Sequence, residues 1–587
     1  MEWNGIYDRR LAIGGVLVAT LMVGCGGGDI NIAPQTADNS VDNSVTENAP
    51  TVTVNPCASY ENSGGTELIG EFDGTNCTYN ELFSDGGANP IEVDLLIPEL
   101  DDGGAHIFQG SLFVGRNYST DAGLTAAGIA AGGDGPTLSI EAGSILAFTS
   151  AEDFIAINRG SQIRAIGTAE KPIILTSQKD LDGEATAEEV QLWGGVVING
   201  FAITNKCKYS GTRTSVDEEN YAPGTTLLEE CHTVSEGSEG ENTTHYGGNN
   251  DTDSSGRLEY VITKHTGYEV ATDNELNAIT FAGVGSSTVV KNVQVYSSYD
   301  DGYEFFGGSV DVENYIAMFV RDDSIDMDEG YNGSITNALV IQSQYDGNRC
   351  IEADGIGSFN GKTQAVIDDF VARKLNSRPT VTNLTCIVSP NGAKDADDAE
   401  NPNKQGTHDP GAGWRLREGI YPKISNSLVI SSFGPQVDSN NWCIRADTSQ
   451  DAKTGGGSLV DPVAGAIEAG TEAYIKDSVF ACETQSSKNM GGVAAATYLA
   501  TAAGGSNVFA TISGAVDATA DLDTDLVLVE GTTPIKSLDF AEMIVDGTAL
   551  TARDALTYVG GIRSAGTDWT SGWAIGLDAQ LWFDATE

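Results

Sequence analysis

The sequence predicts an all-β chain wound into a parallel β-helix, a solenoid of about 22-residue coils with an N-terminal and a C-terminal cap. Two observations carry that prediction. Between Lys291 and Gly355 the strand-like segments NVQVYS, NYIAMF and NALVIQ recur, beginning at Asn292, Asn314 and Asn337. Acidic turns follow them at one phase: Asp300-Asp301-Gly302, Asp322-Asp323-Ser324 and Tyr345-Asp346-Gly347. Apolar residues alternate in short runs bounded by Gly, Asn and Asp, which is a strand-and-turn pattern. A unit this short holds no helical pair and cannot bury its apolar face alone, so units must stack.

Taken in order, the chain opens with Arg9-Arg10 and the apolar run LAIGGVLVATLMVG, which ends at Cys25. That run is short for a bilayer span and suits a signal-peptide core. A cysteine directly after Val-Gly resembles the lipobox of bacterial lipoproteins, although Met22 stands where Leu is usual. The resemblance implies residues 1–24 as a signal peptide and Cys25 as the acylated first residue of the mature chain. Gly26 at the next position implies transfer to the outer membrane. Residues 25–56 then read as a polar, disordered tether without Lys, Arg or aromatic residues. About thirty such residues reach roughly 30 Å. No later segment is apolar and long enough to span a bilayer, so the lipid is the expected membrane anchor.

Residues 57–130 are the expected N-terminal cap, 131–536 the β-helix and 537–587 the C-terminal cap, with Trp569, Trp573 and Trp582 giving apolar bulk. The strand phrase returns as NLTCIV at Asn383, NSLVIS at Asn426 and DSVFAC at Asp477. The gaps hold loop insertions at about 205–255, 356–378, 390–412 and 448–470. Solenoids tolerate such insertions at a corner because they leave the stacking intact. The corner Asn reads as a turn residue that tolerates left-handed backbone and stacks on its neighbours.

Nine cysteines less Cys25 leave eight, an even number in an exported chain. Sequence neighbours suggest Cys57–Cys77, Cys207–Cys231, Cys350–Cys386 and Cys443–Cys482, although eight cysteines allow 105 pairings. A net charge of −53 and a pI near 4.1 exclude nucleic acid as a partner and disfavour anionic lipid surfaces. Solubility alone accounts for such charge in exported proteins, and divalent cations are a further reading.

The chemical candidate is the acidic stack of Asp300, Asp301, Glu304, Asp322, Asp323, Asp326, Asp328 and Glu329. Coils lie about 4.8 Å apart, so residues at one phase stack in register. Crowded carboxylates need a cation, an Arg or protons. Oxygen-rich, Gly-flanked loops suit calcium. Arg321 is a competing neutraliser, hydrogen bonding of turn amides is the structural alternative, and catalytic carboxylates are a third. Two weaker strings, Asp251-Thr-Asp253-Ser-Ser255-Gly256 and Asp521, Asp523 and Asp525, read as solvated loops. The first lacks the bidentate Glu of an EF-hand, having Ile262 at position twelve.

Four strings carry a wider resemblance: QLWGGVVINGFAI, SYDDGYEFFGGSV, DDSIDMDEGYNGSI and YVGGIRSAGTDWTSGWAIGL. They are similar to a family of bacterial exported right-handed β-helix proteins, which includes leptospiral-type outer-membrane lipoproteins. The resemblance covers about residues 130–587 and implies a right-handed β-helix displayed at the surface. It supplies no catalytic residues. The expected function is therefore that of a surface-displayed outer-membrane lipoprotein with a binding or structural role. A calcium-dependent polysaccharide lyase or glycoside hydrolase is the enzymatic alternative, with Arg321, Arg415, Arg417 and Lys423 as possible bases. Some relatives are associated with TonB-dependent uptake, which makes an outer-membrane receptor protein the third possible partner. A sugar-binding groove should show a row of exposed aromatics, and Tyr303, Phe305, Phe306 and Tyr331 lie near the stack.

Overall fold

Two long parallel sheets, one of ten strands and one of eighteen, run the length of the described chain. The structure is a computed structural model and describes residues 55–129, 133–271, 274–343, 347–388, 412–431, 442–452, 457–481, 484–486, 507–509, 511–513, 527–530, 533–537, 559–561 and 569–577. Each central coil contributes one long strand and one short strand. The long strands Gly256–Thr266, Val289–Ser298, Asp311–Val320, Ser334–Ile341 and Thr380–Val388 pair in parallel, in that order. The short strands Ile279–Ala282, Tyr303–Phe306, Ile325–Asp328, Arg349–Asp354, Ala412–Arg417 and Trp442–Ala446 do the same. This is the parallel β-helix, with steps of 22 and 23 residues between paired positions such as Val290, Val312 and Ile335.

Each repeating Asn bends its long strand. Asn292, Asn314, Asn337, Asn383 and Asn426 have φ between 53° and 63°, and Asp477 has 55°. Asn and Asp tolerate this left-handed conformation better than other L-residues. The Asn side chains form a ladder along the axis: Asn314 Nδ2 donates to Asn292 Oδ1 at 2.8 Å, Asn337 to Asn314 at 3.0 Å, and Asn383 to Asn337 at 3.0 Å. Inside the coil, alternate residues such as Val293, Val295, Ala317 and Val340 are buried. Aromatic rings also stack within it: Phe305 lies 5.2 Å from Phe281 and 4.2 Å from Tyr331.

Three boundaries differ from expectation. Parallel coil pairing begins at Cys77–Tyr79, which pairs with Ala105–Phe108, so coils occupy much of the stretch expected to be a cap. The antiparallel pair Ser59–Glu61 and Glu67–Ile69 precedes them, followed by the short strand Glu71–Phe72, which pairs antiparallel with Cys77–Tyr79. The insertions carry structure of their own, including a helix at Gln364–Ala372 and another at Val463–Ala469. The described part of the C-terminal region, 559–561 and 569–577, lies against the side of the coils. Trp573 packs on Tyr260, and Ile575 bonds Gln294. Trp582 lies outside the described residues.

Disulfides join Cys57–Cys77, Cys207–Cys231 and Cys350–Cys386, as the sequence suggested. Cys443 is disulfide-bonded too, and Cys482 lies outside the described residues. Cys25 and the tether as far as residue 54 do as well.

Candidate functional site

The acidic stack sits at the turns that lead into the short strands and on the outward face of those strands. Three columns build it. In the first, Asn277, Asp301, Asp323 and Arg349 occupy equivalent places in successive coils, and each of the first three side chains serves the next coil's backbone. Asn277 Oδ1 accepts from Asp301 N at 3.0 Å, Asp301 Oδ1 from Asp323 N at 3.0 Å, and Asp323 Oδ1 from Arg349 N at 2.9 Å. The structural alternative thus holds for one oxygen of Asp301 and one of Asp323. In the second column Asn348 Nδ2 donates to Asp322 Oδ1 at 2.5 Å, one coil beyond Asp300. In the third, Thr280, Glu304, Asp326 and Glu352 are paired in register, followed by Arg415 and Arg445.

The register brings two sets of carboxylates together. Asp300, Asp301 and Asp322 place oxygens within 4.8 Å of one another, as do Asp301, Glu304 and Asp326. Burial, reinforced by neighbouring carboxylates, raises Asp300, Asp301, Glu304, Asp323 and Asp326 well above the usual range. Burial also raises Asp328 to about 6, with Glu329 adding and Lys206 opposing. Carboxyls raised in this way hold protons more readily than free ones, and a cation would compete for the same oxygens.

Neutralisation comes mainly from downstream. The Arg349 guanidinium lies 3.8 Å from Asp323 and 3.3 Å from Glu352. Arg415 and Arg417 reach Glu352 at 3.2 and 2.9 Å, and Arg417 also holds Asp354 at 2.5 Å. Burial disfavours the charged Glu352, but Arg349, Arg417 and Arg415 outweigh it and hold its carboxyl below the usual range. Arg321, the neutraliser suggested by sequence, donates to the carbonyl of Glu188 at 3.1 Å. Lys423 is exposed and starts a strand of the other sheet. Along the short-strand face the charge therefore changes sign, from carboxylates to guanidiniums.

A family model described as a pectate-lyase-like β-helix domain matches residues 124–501. The chain belongs to that family. Comparison with curated proteins and with solved structures gave no match.

In this pectate-lyase-like domain the insertions wall the upstream end of the acidic face. The hairpins Thr233–Val234/His245–Tyr246 and Tyr268–Ala271/Asn274–Leu276 leave a cleft of about 660 Å³ against the short strands. Glu236, Tyr246, Glu304, Asp328, Glu329 and Lys206 are among its lining residues. Glu329 accepts from Thr204 Oγ1 at 2.7 Å and from Tyr246 Oη at 2.5 Å, and pairs with Lys206 at 3.1 Å. Burial raises Glu236 to about 7, partly offset by a hydrogen bond with Glu304. Sequence reasoning missed Glu236, because it lies in an insertion with no repeat phase. Arg349 was missed although it stands one coil beyond Asp323, a register the spacing could have given.

Other candidates resolve differently. Asp251 and Asp253 are buried and not solvated. Asp251 holds the buried Arg213 bidentately at 2.7 and 2.8 Å and accepts from Ile203 N, while Asp253 accepts from Phe201 N. Both carboxylates hold the insertion to the coils. Asp521, Asp523 and Asp525 lie outside the described residues. His232 lies 3.0 Å from Asp121, yet Arg159 Nη2 donates to its Nδ1 at 2.7 Å. Its neutral ring then carries the proton on Nε2, which blocks metal ligation there. Tyr303, Phe305, Phe306 and Tyr331 are all buried, so they form no exposed row.

Proposed function

We propose that this chain is an exported, lipid-anchored protein of the outer membrane, displaying a calcium-binding acidic face on a rigid β-helix for binding or architecture. The observation that carries the reading is the meeting of Asp300, Asp301, Glu304, Asp322 and Asp326 in two groups of close oxygens. Asp323 continues the first column and Asp328 stands two residues beyond Asp326 on the same strand, and all seven remain the proposed calcium-binding set. Calcium takes six to eight oxygens in flexible geometry, and water can complete a shell begun by three carboxylates. The anchor is proposed from Cys25 and the run before it.

Thermal unfolding of the mature chain, with calcium and after chelation, tests the cation. A ligand held by the folded state alone adds about 2.7 kcal/mol at a hundredfold excess over Kd. No rise in Tm would remove calcium from the reading. Labelling with a radioactive fatty acid, comparing the parent with Cys25→Ser, tests the anchor.

A second reading, a calcium-dependent polysaccharide lyase, is favoured by Arg415 and Arg417 lying one strand beyond Glu352 and Asp354 and two beyond Asp326 and Asp328. Burial lowers Arg415 below the usual guanidinium value, the direction a base requires. The burial of all four nearby aromatics speaks against an extended sugar groove. Release of unsaturated sugars from acidic polysaccharides, lost in Arg415→Ala, would favour this reading.

A further inference from the structure

The long strands hide apolar residues on both faces. Between the inward-facing Val293, Val295, Ala317 and Val340 lie Gln294, Ile316, Met318 and Leu339, which strand alternation points away from the coil interior. On a bare solenoid these four would meet water, yet each is 0% exposed. The stripe continues upstream to Ile262 and downstream to Ile387, both also buried.

Residues 559–561 and 569–577 supply contacts along that stripe. Gln294 donates from Nε2 to Ile575 O at 2.8 Å and accepts from Ile575 N at Oε1 at 2.9 Å. Gly561 N donates to Thr385 Oγ1 at 2.9 Å, and Gly560 N to Asn426 O at 2.9 Å. Trp573 is 3% exposed and meets Tyr260 edge to face. Tyr260, Gln294, Ala338, Thr385 and Asn426 belong to successive parts of the ladder, so the segment runs along the axis and not over an end. Two approaches require glycine. A Cβ at Gly576 would stand 2.5 Å from the Tyr296 ring, and one at Gly561 would stand 2.3 Å from the Ala338 carbonyl oxygen.

We infer that the outer stripe of the long-strand sheet is a docking groove for a glycine- and tryptophan-bearing peptide, and that the chain's own residues 559–561 and 569–577 occupy it in cis as a strap. Within the strands the backbone groups are used in the ladder, so side chains there read the strap: the Gln294 amide and the Thr385 hydroxyl bond its main chain, and the corner carbonyl of Asn426 accepts from Gly560 N. Occupancy keeps an apolar stripe out of water and prevents the stripes of two copies from meeting.

Gly576→Val in the full chain tests this. Its φ of +70° and the Tyr296 ring both oppose a branched side chain. The variant should gain severalfold dye fluorescence at the uncovered stripe and sediment as a dimer or larger at micromolar concentration. Amides of Val293 and Val340 should keep their protection from exchange. A synthetic peptide of residues 559–577 added in trans should return it to monomer. Unchanged dye binding and mass, or a peptide that fails to restore the monomer, overturns the inference. Should the variant not fold, exchange in the parent chain decides. Protected amides at Gly560, Gly561 and Ile575 are expected, and exchange there at the rate of an exposed peptide overturns it.

Discussion

At the scale of single residues, one side chain often meets two demands. Asn314 must hold a positive φ and also donate to Asn292 while accepting from Asn337. Asn314→Ala keeps neither benefit. Left-handed backbone costs an ordinary L-residue about 1–2 kcal/mol, and each lost hydrogen bond about 1 kcal/mol. Asn314→Gly should recover the backbone term and lose only the ladder, so its denaturation midpoint should fall between those of the parent and the Ala variant. Glu418 and Asp461 make the second residue-scale prediction. Burial raises Glu418 to about 8, with Asp354 adding, and raises Asp461 to about 7 despite three backbone donors. A carboxyl raised on folding stabilises fully below its unfolded pKa, and that contribution disappears as pH climbs through the folded value. Stability should therefore fall between about pH 5 and 8. Glu418→Gln should flatten the upper part of that slope in a series of melting curves.

At the scale of elements, the short-strand sheet joins two sets of like charges through one carboxylate. Glu352 stands between Asp326 and Arg415 in register and touches three guanidiniums. Glu352→Gln would leave Arg349, Arg415 and Arg417 facing one another, and removing one partner of a buried charge set costs about 3–5 kcal/mol. Urea titration should show that loss with an unchanged slope. The disulfide Cys350–Cys386 links a short strand to a long strand across 36 residues. The loop-entropy relation gives about 4 kcal/mol for a closure of that length. The double Ser variant should fall in stability by up to that amount, read from the same titration.

At the scale of the whole molecule, calcium and protons should compete for the acidic face, because the same oxygens serve either. The raised Asp300, Asp301, Glu304 and Asp326 must release protons to bind a cation. The calcium-induced rise in Tm should accordingly be larger at pH 8 than at pH 5.5, with proton release measurable in weakly buffered solution. Asp300→Asn with Asp326→Asn should abolish the calcium effect and raise the Tm of the calcium-free protein, since the repulsion is gone. An unchanged calcium response in that variant would place the cation elsewhere.

The sequence by itself determined the β-helix, the coil length and the Asn corner, and its neighbouring cysteines suggested three disulfides that the structure then paired. Each is a local or periodic property: a 22-residue period forces Asn292 over Asn314, and stacking aligns whatever shares a phase. The same period makes the carboxylate columns legible in the order of residues alone. The tertiary structure alone decided what covers the coils. Insertions have no period, so nothing in the order of residues placed Glu236 beside Glu304, or Arg213 on Asp251. The C-terminal tryptophans announced apolar bulk and were expected to cap the end of the coils, whereas Trp573 lies along their side against Tyr260. Burial free energy depends on the area removed from water and not on chain position. The described strap accordingly runs along the side of the coils, where the outer stripe offers apolar surface.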